Sequence, residues 1–365
     1  MNITYFIGNG FDINIGLHTD YRSFLRWYLR KISDAPEDPV ISKFAKLIQK
    51  DIETWSNLEL TLGQKTLESP LDKPETFLKC KTHLDLHLRE YLRKQNDAFP
   101  HPPYREYIPQ FKNSLCDFLN FCEPQVQNEL RNIYKQHIKE DHTINIIDFN
   151  FTDTVDLLWA KTPNKIKKVF PRRRIRKDDT ILKHLKKELA AGNTYYNKGE
   201  LIHIHGTLDN TMLTGVNDIS QLSNKDIKNN EDILECCIKP LMNDHSGNHL
   251  NERVNRIIRH TDIFIVFGMS IGETDRVWWN AIAQQVISNP NSYLLLVNYN
   301  PNYNSVLTYT RRYASKGMEK SLLKVTQVDP GAGMVLKSRM SILFNTDLFK
   351  LNERKLHSYF RPAKE

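Results

Sequence analysis

The sequence contains few cysteines and no long hydrophobic run, and both absences exclude classes of protein. Its five cysteines have no paired C-x-x-C spacing, so neither a disulfide framework nor a structural zinc site is expected. No apolar run reaches the length that crosses a bilayer. The opening residues MNITYFIGNGFD lack the basic start of a signal peptide. We therefore expect a protein of the reducing cytoplasm that does not associate with a membrane.

The positive charge is concentrated in one segment of a chain whose composition is otherwise that of a globular protein. Of the 365 residues, 40% are hydrophobic and 26% are charged, and the formal net charge is +8. Residues 161–187 contain 12 of the 51 Lys and Arg residues but only 2 of the 43 Asp and Glu residues. Such a run is typical of a solvated surface, and its functional alternative is nucleic-acid binding. In that alternative the 165–177 run contacts phosphates through Lys167, Lys168, Arg172, Arg173, Arg174 and Arg176.

Short apolar segments typical of buried strands recur along the chain, and most are followed by a turn and a helical pattern. They lie at 3–7, 144–151, 201–205, 263–267 and 293–298, with a late strand in MSILFNT. This alternation predicts an α/β fold with a Rossmann-like, mainly parallel sheet flanked by helices. We expect a single domain over 1–365. It contains a helical insertion at about 20–142, a basic insertion at about 161–199 and a further helical stretch at 218–260.

The first strand ends abruptly in GNGFD, at the edge of the sheet where open α/β proteins bind ligands. Gly8 and Gly10 allow close approach to the main chain, and a helix opening at Asp12 or Asn14 would favour a phosphate at its positive end. The dinucleotide fingerprint lacks its third glycine, because Ile13 occupies that position. A phosphate-binding loop and a tight turn without a ligand both remain open.

The second strand ends in FNFTDT, which carries a polar side chain suited to ligand binding. Asn150 both donates and accepts hydrogen bonds, as contact with a ribose hydroxyl, a carboxamide or an ordered water requires. The alternative is that Asn150 only turns the chain. Thr152 or Asp153 is expected to cap the helix that runs through TDTVDLLWA.

Two histidines share one face of the strand LIHIHG, which Gly206 ends. His203 and His205 have a spacing that can chelate a metal, but no neighbouring acid or third histidine in the sequence completes a site. We therefore expect no metal. His205, at the strand end, is placed as a general base, whereas His203 is expected to be a buried structural residue.

The stretch FGMSIGETDRVWW is another strand, glycine turn and helix. Ser270 and Asp275 could reach a ligand beyond Gly268, and Thr274 or Asp275 is expected to cap the helix. The paired tryptophans are expected to pack in the core, and they are Trp278 and Trp279. Two isolated acids elsewhere are interpreted as caps or salt-bridge partners, namely Glu59 and Asp218.

Taken in order, these stretches resemble the bacterial abortive-infection family AbiH. The similar motifs are GNGFD…GL, WSNLE, FNFT, HIHG, GVND and FGMSIGETDRVW, between residues 8 and 279. More remotely, GNGFD, the Asn-bearing strand end and His-Gly resemble the NAD-binding sirtuin-like fold, whose Asn and His act on NAD. Carried across, these are Asn150 and His205. Thr152 stands where sirtuin-like proteins have the acid of Asn-x-Asp, and Met269 stands where AbiH proteins often have His.

The resemblance implies an antiphage defence effector that binds a nucleotide, NAD, and hydrolyses its nicotinamide–ribose bond without a metal. Asn150 would orient the ribose or the attacking water, and His205 would act as the base. The residues expected to bind NAD are Gly8, Asn9, Gly10, Phe11, Asp12, Thr152, Asp153, Gly206, Gly268, Ser270 and Asp275.

Two alternatives to NAD hydrolysis follow from the same residues. The first is a nucleic-acid-binding toxin or nuclease, which would use the basic run on phosphates and Asp148, Asp153 or Glu59 for a divalent ion. The second is a nucleotide-sensing module without chemistry, whose helical insertion docks a partner protein or a phage-derived trigger. Metal dependence distinguishes the nuclease from the NAD hydrolase.

Overall fold

The computed structural model describes residues 1–34, 38–99, 107–137, 140–167, 194–245, 249–299 and 308–351. Most of the basic run lies outside these residues, including the predicted contacts Lys168, Arg172, Arg173, Arg174 and Arg176. Lys167 is described and lies exposed on a short strand. The nucleic-acid contacts expected of the other five residues therefore stay predictions.

In the part of the chain that the structure describes, seven strands form one sheet, and most neighbouring pairs are parallel. In chain order they are β1 Asn2–Ile7, β2 His142–Asp148, β3 Lys165–Lys167, β4 Tyr195–His203, β5 Ile263–Phe267, β6 Tyr293–Asn298 and β7 Met340–Phe344. The spatial order is β3-β4-β2-β1-β5-β6-β7, and only β3 runs antiparallel to its neighbour. The predicted α/β class and the late strand are confirmed.

The central strands are near-continuous apolar runs because both faces of the sheet are covered. All five residues of β5 (IFIVF) are buried, as parallel strands between two helical layers require. Along β1, Tyr5 and Ile7 pack into one hydrophobic cluster, and Phe6 packs into a second cluster on the opposite face. Trp278 and Trp279 are buried in that second cluster, as predicted.

Helices connect the strands, and some begin with recognisable capping residues. Asp38, for example, accepts a hydrogen bond of 2.8 Å from the Val40 N–H, and Pro39 follows at the first helical position. No helix in the described part of the chain is both long and apolar enough to cross a membrane. The helices are α1 Gly10–Asn14, α2 Tyr21–Asp34, α3 Pro39–Lys50, α4 Leu58–Gln64, α5 Pro74–Ala98, α6 Tyr107–Cys116, α7 Pro124–Gln136, α8 Thr154–Lys161, α9 Lys225–Lys228, α10 Glu231–Cys237, α11 Lys239–His245, α12 Leu250–Arg259, α13 Arg276–Ser288, α14 Thr308–Thr326 and α15 Pro330–Ser338.

Helices α2 to α5, between β1 and β2, build a hydrophobic cluster of their own beside the sheet. This third cluster contains Phe24, Phe44, Trp55 and Leu88 from α2 to α5, and it extends to Leu208 after β4. The described part of the 20–142 stretch is thus mostly helical. Helices α2 to α5 form this separate layer, whereas α6 and α7 pack into the first cluster with β1 and β2.

The strand register brings four strand ends to one level. Ile7 of β1 pairs with Asp148 of β2 and with Phe267 of β5, and Asp148 pairs in turn with His203 of β4. The residues after these positions must therefore meet at the carboxyl edge of the sheet. This edge is where the predicted site residues lie.

Candidate functional site

A cavity of about 320 Å³ lies at the carboxyl ends of β1, β2 and β5. One wall consists of the residues that follow the strands, and the other comes from the helical layer between β1 and β2. Contributors from the strand ends are Gly8, Asn9, Asp12, Phe149, Asn150, Phe151, Thr152, His205, Gly268, Met269, Ser270, Thr274 and Asp275. Contributors from the helical layer and α11 are Thr19, Tyr21, Ser56, Asn57, Glu59, Leu92 and Lys239.

The glycines after β1 and β5 are required because two loops pass each other in backbone contact. A Cβ atom on Gly10 would lie 2.4 Å from the Gly268 Cα, and one on Gly8 would lie 2.6 Å from the Gly268 carbonyl oxygen. Gly268 itself has a φ of 68°, and its carbonyl oxygen accepts a 2.9 Å hydrogen bond from the Gly10 N–H. Much of the room around Gly10 is thus occupied by the neighbouring loop.

The helix after GNG begins earlier than predicted. It starts at Gly10, so Asp12 and Asn14 lie within it instead of opening it. Phe11 points away from the cavity into an aromatic cluster, where its ring centroid lies 5.5 Å from Phe349 and 6.2 Å from Phe111. Phe11 therefore fixes this turn against the core.

Asp12 is a buried carboxyl group held by two threonines from the end of β2. Its two oxygens accept hydrogen bonds from Thr152 Oγ1 at 2.8 Å and from Thr154 Oγ1 at 2.7 Å. Burial raises the pKa of Asp12 to about 6, although the two hydroxyl groups act in the opposite direction. Thr152 thus binds Asp12 and does not cap the following helix.

Three polar atoms of Asn150 form hydrogen bonds within the protein, and the fourth has no partner among the described residues. Its N–H donates to Asp148 Oδ1 at 2.9 Å, its carbonyl oxygen contacts His203 Nδ1 at 2.9 Å, and its Nδ2 donates to the Gly8 carbonyl oxygen at 3.3 Å. The remaining atom, Oδ1, is buried on the cavity wall without a hydrogen-bond partner among the described residues. A buried acceptor without a partner is costly, which favours a ligand or a water there.

His203, expected to be buried, is only partly buried, and it bridges the end of β2 to helix α8. Its Nδ1 faces the Asn150 carbonyl oxygen at 2.9 Å, and its Nε2 lies 2.7 Å from Asp156 Oδ2. Burial would lower the pKa of His203, but Asp148 and Asp156 outweigh it and raise the pKa to about 9. The tertiary structure thus places acids beside His203 that its sequence neighbourhood does not contain, and both ring nitrogens are engaged within the protein.

His205 lies at the start of a row of charged groups that crosses the cavity. Its Nε2 lies 3.4 Å from Asp275 Oδ1, and Lys239 Nζ approaches the same oxygen at 3.6 Å. Lys239 also donates to Glu59 Oε2 at 2.8 Å, and Glu59 Oε1 accepts a 3.2 Å hydrogen bond from the Gly215 N–H. Histidine, two carboxylates and one ammonium group are thus held together in a largely buried site.

The charged groups in this row shift one another's pKa values. Burial alone would raise the pKa of Asp275, but the nearby Lys239 ammonium and His205 imidazole hold it well below its usual range. Burial would lower the pKa of Lys239, but Asp275 and Glu59 raise it above its usual value. Burial, together with the charges of Glu59 and Asp275, raises the pKa of the Tyr21 phenol. Lys239 and Asp275 are therefore both ionised around neutral pH.

Lys239 and Tyr21 lie on the cavity wall, although no sequence motif marked them as site residues. Lys239 follows the apolar stretch CCI, and a lysine in such a place needs a charged partner when buried. That partner is Glu59, which is a salt-bridge partner as interpreted from the sequence. Asp218 is also confirmed as a cap and ion-pair partner, because it accepts from the Ser220 N–H and pairs with Arg276.

The side chains predicted to cap two helices do not form the expected hydrogen bonds. Asp153 and Asp275 occupy the N-cap positions of α8 and α13, but neither side chain makes a capping hydrogen bond. The Asp275 carboxylate instead lies beside His205 and Lys239. The more buried ionic partners thus determine where this side chain points.

The structure brings most of the predicted site residues to the cavity wall. Those on the wall are Asn150, His205, Gly8, Asn9, Asp12, Thr152, Gly268, Ser270 and Asp275. Met269 also lies on the wall. The predicted residues that do not line the cavity are Gly10, Phe11, Asp153 and Gly206. A role in ligand binding stays a prediction for all of them.

Comparison with models of protein families identifies the family of this chain. The family model described as "Bacteriophage abortive infection AbiH" matches residues 4–299, so the protein belongs to the AbiH family. The match includes most of β1, the strands β2 to β6 and every residue on the cavity wall. No curated protein matches the chain.

Proposed function

We propose that this member of the AbiH family binds a nucleotide, NAD, in the cavity at the sheet edge and hydrolyses its nicotinamide–ribose bond. The reaction would serve phage abortive infection, the process that gives the family its name. The sirtuin-like resemblance of the glycine turn, Asn150 and His205 belongs to the same proposal.

The topology of the sheet supports a nucleotide ligand. When the six parallel strands are numbered among themselves, their spatial order is 3-2-1-4-5-6, the order of Rossmann-type dinucleotide-binding folds. Ligands of such sheets bind in the crevice where the strand order reverses, which here lies between β1 and β5. The cavity is lined by Gly8 after β1 and Gly268 after β5, so it lies at that crevice.

The observation that carries the proposal is the buried Oδ1 atom of Asn150, which has no partner among the described residues and lies on the same cavity wall as His205. Because Nδ2 already donates to Gly8, the free atom of this side chain is an acceptor. An acceptor of this kind would bind a ribose hydroxyl or an attacking water.

Cleavage of the nicotinamide–ribose bond develops positive charge on the ribose and needs no covalent help from the protein. It needs a held ribose, a positioned water and a nearby base. In the proposed reaction Asn150 Oδ1 orients the hydroxyl or the water, and His205 accepts the proton. Asp275, at 3.4 Å, orients the imidazole and balances the charge that it gains.

The nuclease alternative has less support from the same residues. Glu59 is already paired with Lys239, whose ammonium group would compete with a divalent cation. Asp148 and Asp153 do not line the cavity, and Asp148 Oδ1 accepts the Asn150 N–H. The NAD hypothesis therefore gives a role to more of the residues on the cavity wall than the nuclease hypothesis does.

The test is to incubate the purified full-length protein with NAD and, separately, with DNA and RNA, each with and without Mg²⁺ or a chelator. We expect nicotinamide release that survives the chelator. His205→Ala should reduce this release by about 10²–10⁴-fold, whereas the exposed His260→Ala should not. Metal-dependent cleavage of nucleic acid without nicotinamide release would refute the proposal. NAD binding without cleavage would leave a nucleotide sensor.

A further inference from the structure

The geometry around His203 determines its protonation state. A carbonyl oxygen only accepts hydrogen bonds, so the contact with Asn150 requires a proton on Nδ1. The Asp156 carboxylate is likewise an acceptor, so the 2.7 Å contact requires a proton on Nε2. With both nitrogens donating, His203 is an imidazolium cation, and only 9% of its side chain is exposed.

Negative groups from three elements face this cation. Asp148 lies at the end of β2, Asp156 lies on α8, and Asp12 lies on α1, and each interacts electrostatically with His203. Burial raises the pKa of Asp148 to about 7, while the nearby His203 lowers it. The charge on the imidazolium is thus compensated within the protein and does not depend on a ligand.

We infer that protonated His203, anchored by Asp156, is a positioning residue that fixes the main chain of Asn150 so that Oδ1 stays on the cavity wall. Only the expected effect of His203 on NAD turnover rests on the proposed function. His203 does not line the cavity and acts through Asn150. Loss of the Nδ1 proton would leave a ring lone pair against the carbonyl oxygen at 2.9 Å, and this repulsion would release Asn150.

The inference predicts a titration that is visible without any ligand. In NMR spectra of the uniformly nitrogen-labelled full chain, His203 should titrate near its pKa of about 9, well above the ordinary histidine value. The amide signal of Phe151, whose peptide group contains the Asn150 carbonyl, should move with the same midpoint. Asp156→Asn should lower that midpoint, and Asp156→Glu should restore most of it. Lys161→Gln, an exposed change on the same helix, should leave the midpoint in place.

Kinetic measurements distinguish a positioning role of His203 from a purely structural role. Asp156→Asn should reduce kcat for NAD by roughly 10- to 100-fold with a stable fold, because small displacements of a positioning group have effects of this size. The activity of the wild type should also fall as the pH rises past the His203 midpoint. A His203 midpoint near the ordinary histidine value, or a Phe151 amide that does not follow it, would overturn the inference. Absence of NAD turnover in the wild type would refute the proposed function alone, because the NMR arm does not use NAD.

Discussion

Asp275 Oδ1 lies 3.4 Å from His205 Nε2 and forms the link between this histidine and a buried lysine, whose Nζ lies 3.6 Å away. The carboxylate is held ionised by Lys239 although it is buried, since the ammonium group keeps its pKa well below the usual range. A fixed negative charge beside the imidazole is what a base that becomes positively charged requires.

Replacement of Asp275 by Asn tests this relationship. The change keeps the shape but removes the charge, so nicotinamide release should fall by at least roughly tenfold. The fold should survive, because Lys239 keeps its 2.8 Å contact with Glu59. Turnover and thermal unfolding are measured on the same preparation. Full turnover in Asp275→Asn would show that the His205–Asp275 contact has no part in the reaction.

The Glu59–Lys239 pair should be a strong determinant of stability. Both side chains are buried, with 7% and 6% exposed, so Glu59→Gln leaves an ammonium group with one charged neighbour fewer. We expect a loss of about 3–5 kcal/mol in the free energy of unfolding, measured with urea. The exposed pair Lys79–Asp38 is the matched control, and Lys79→Met should change the free energy of unfolding much less, because water screens an exposed pair. Equal costs for the two variants would contradict the prediction.

The glycine contact predicts opposite effects at two glycines. Gly10→Ala places a Cβ 2.4 Å from the Gly268 Cα, so the two loops must separate and the protein should lose stability. Gly317→Ala, in helix α14, meets nothing within 4 Å and should stabilise by roughly 0.5–1 kcal/mol. Urea unfolding of both variants measures the difference. A Gly10→Ala protein as stable as wild type would show that the loops do not pack as described.

His203 should make stability depend on pH in the alkaline range. Its pKa is about 9 in the folded protein and near 6.5 when unfolded, so the stabilisation is complete below about pH 6.5 and is lost as the pH rises through 9. The free energy of unfolding should fall by up to about 3 kcal/mol across this range. In His203→Gln this part of the fall should be absent. If the free energy of unfolding of the wild type and of His203→Gln falls in parallel from pH 6.5 to 9, His203 is not the group responsible.

Part of the fold and of the site can be predicted from the sequence because the determining signals are local. The run IFIVF has no polar face, so it must be covered on both sides, and this predicts a parallel strand. The carboxyl ends of parallel strands meet at one edge of the sheet, so the sequence is enough to place Asn150, His205 and Gly268 near one another. GNG marks the turn after β1, but the sequence could not show that its tightest contact is with Gly268.

The tertiary structure alone determines which charges meet. Lys239 and Glu59 are 180 residues apart, and Asp12 is 140 residues from Thr152, so no local pattern relates them. Burial requires each of these charged or polar groups to have a partner, but any acid or hydroxyl group would satisfy that requirement. Strand register decides that Asp148 ends beside Ile7 and His203, and helix packing then brings Asp156 to the imidazole. The sequence thus determines that the strand ends are polar and the strands buried, whereas register and helix packing decide which of those polar groups become partners.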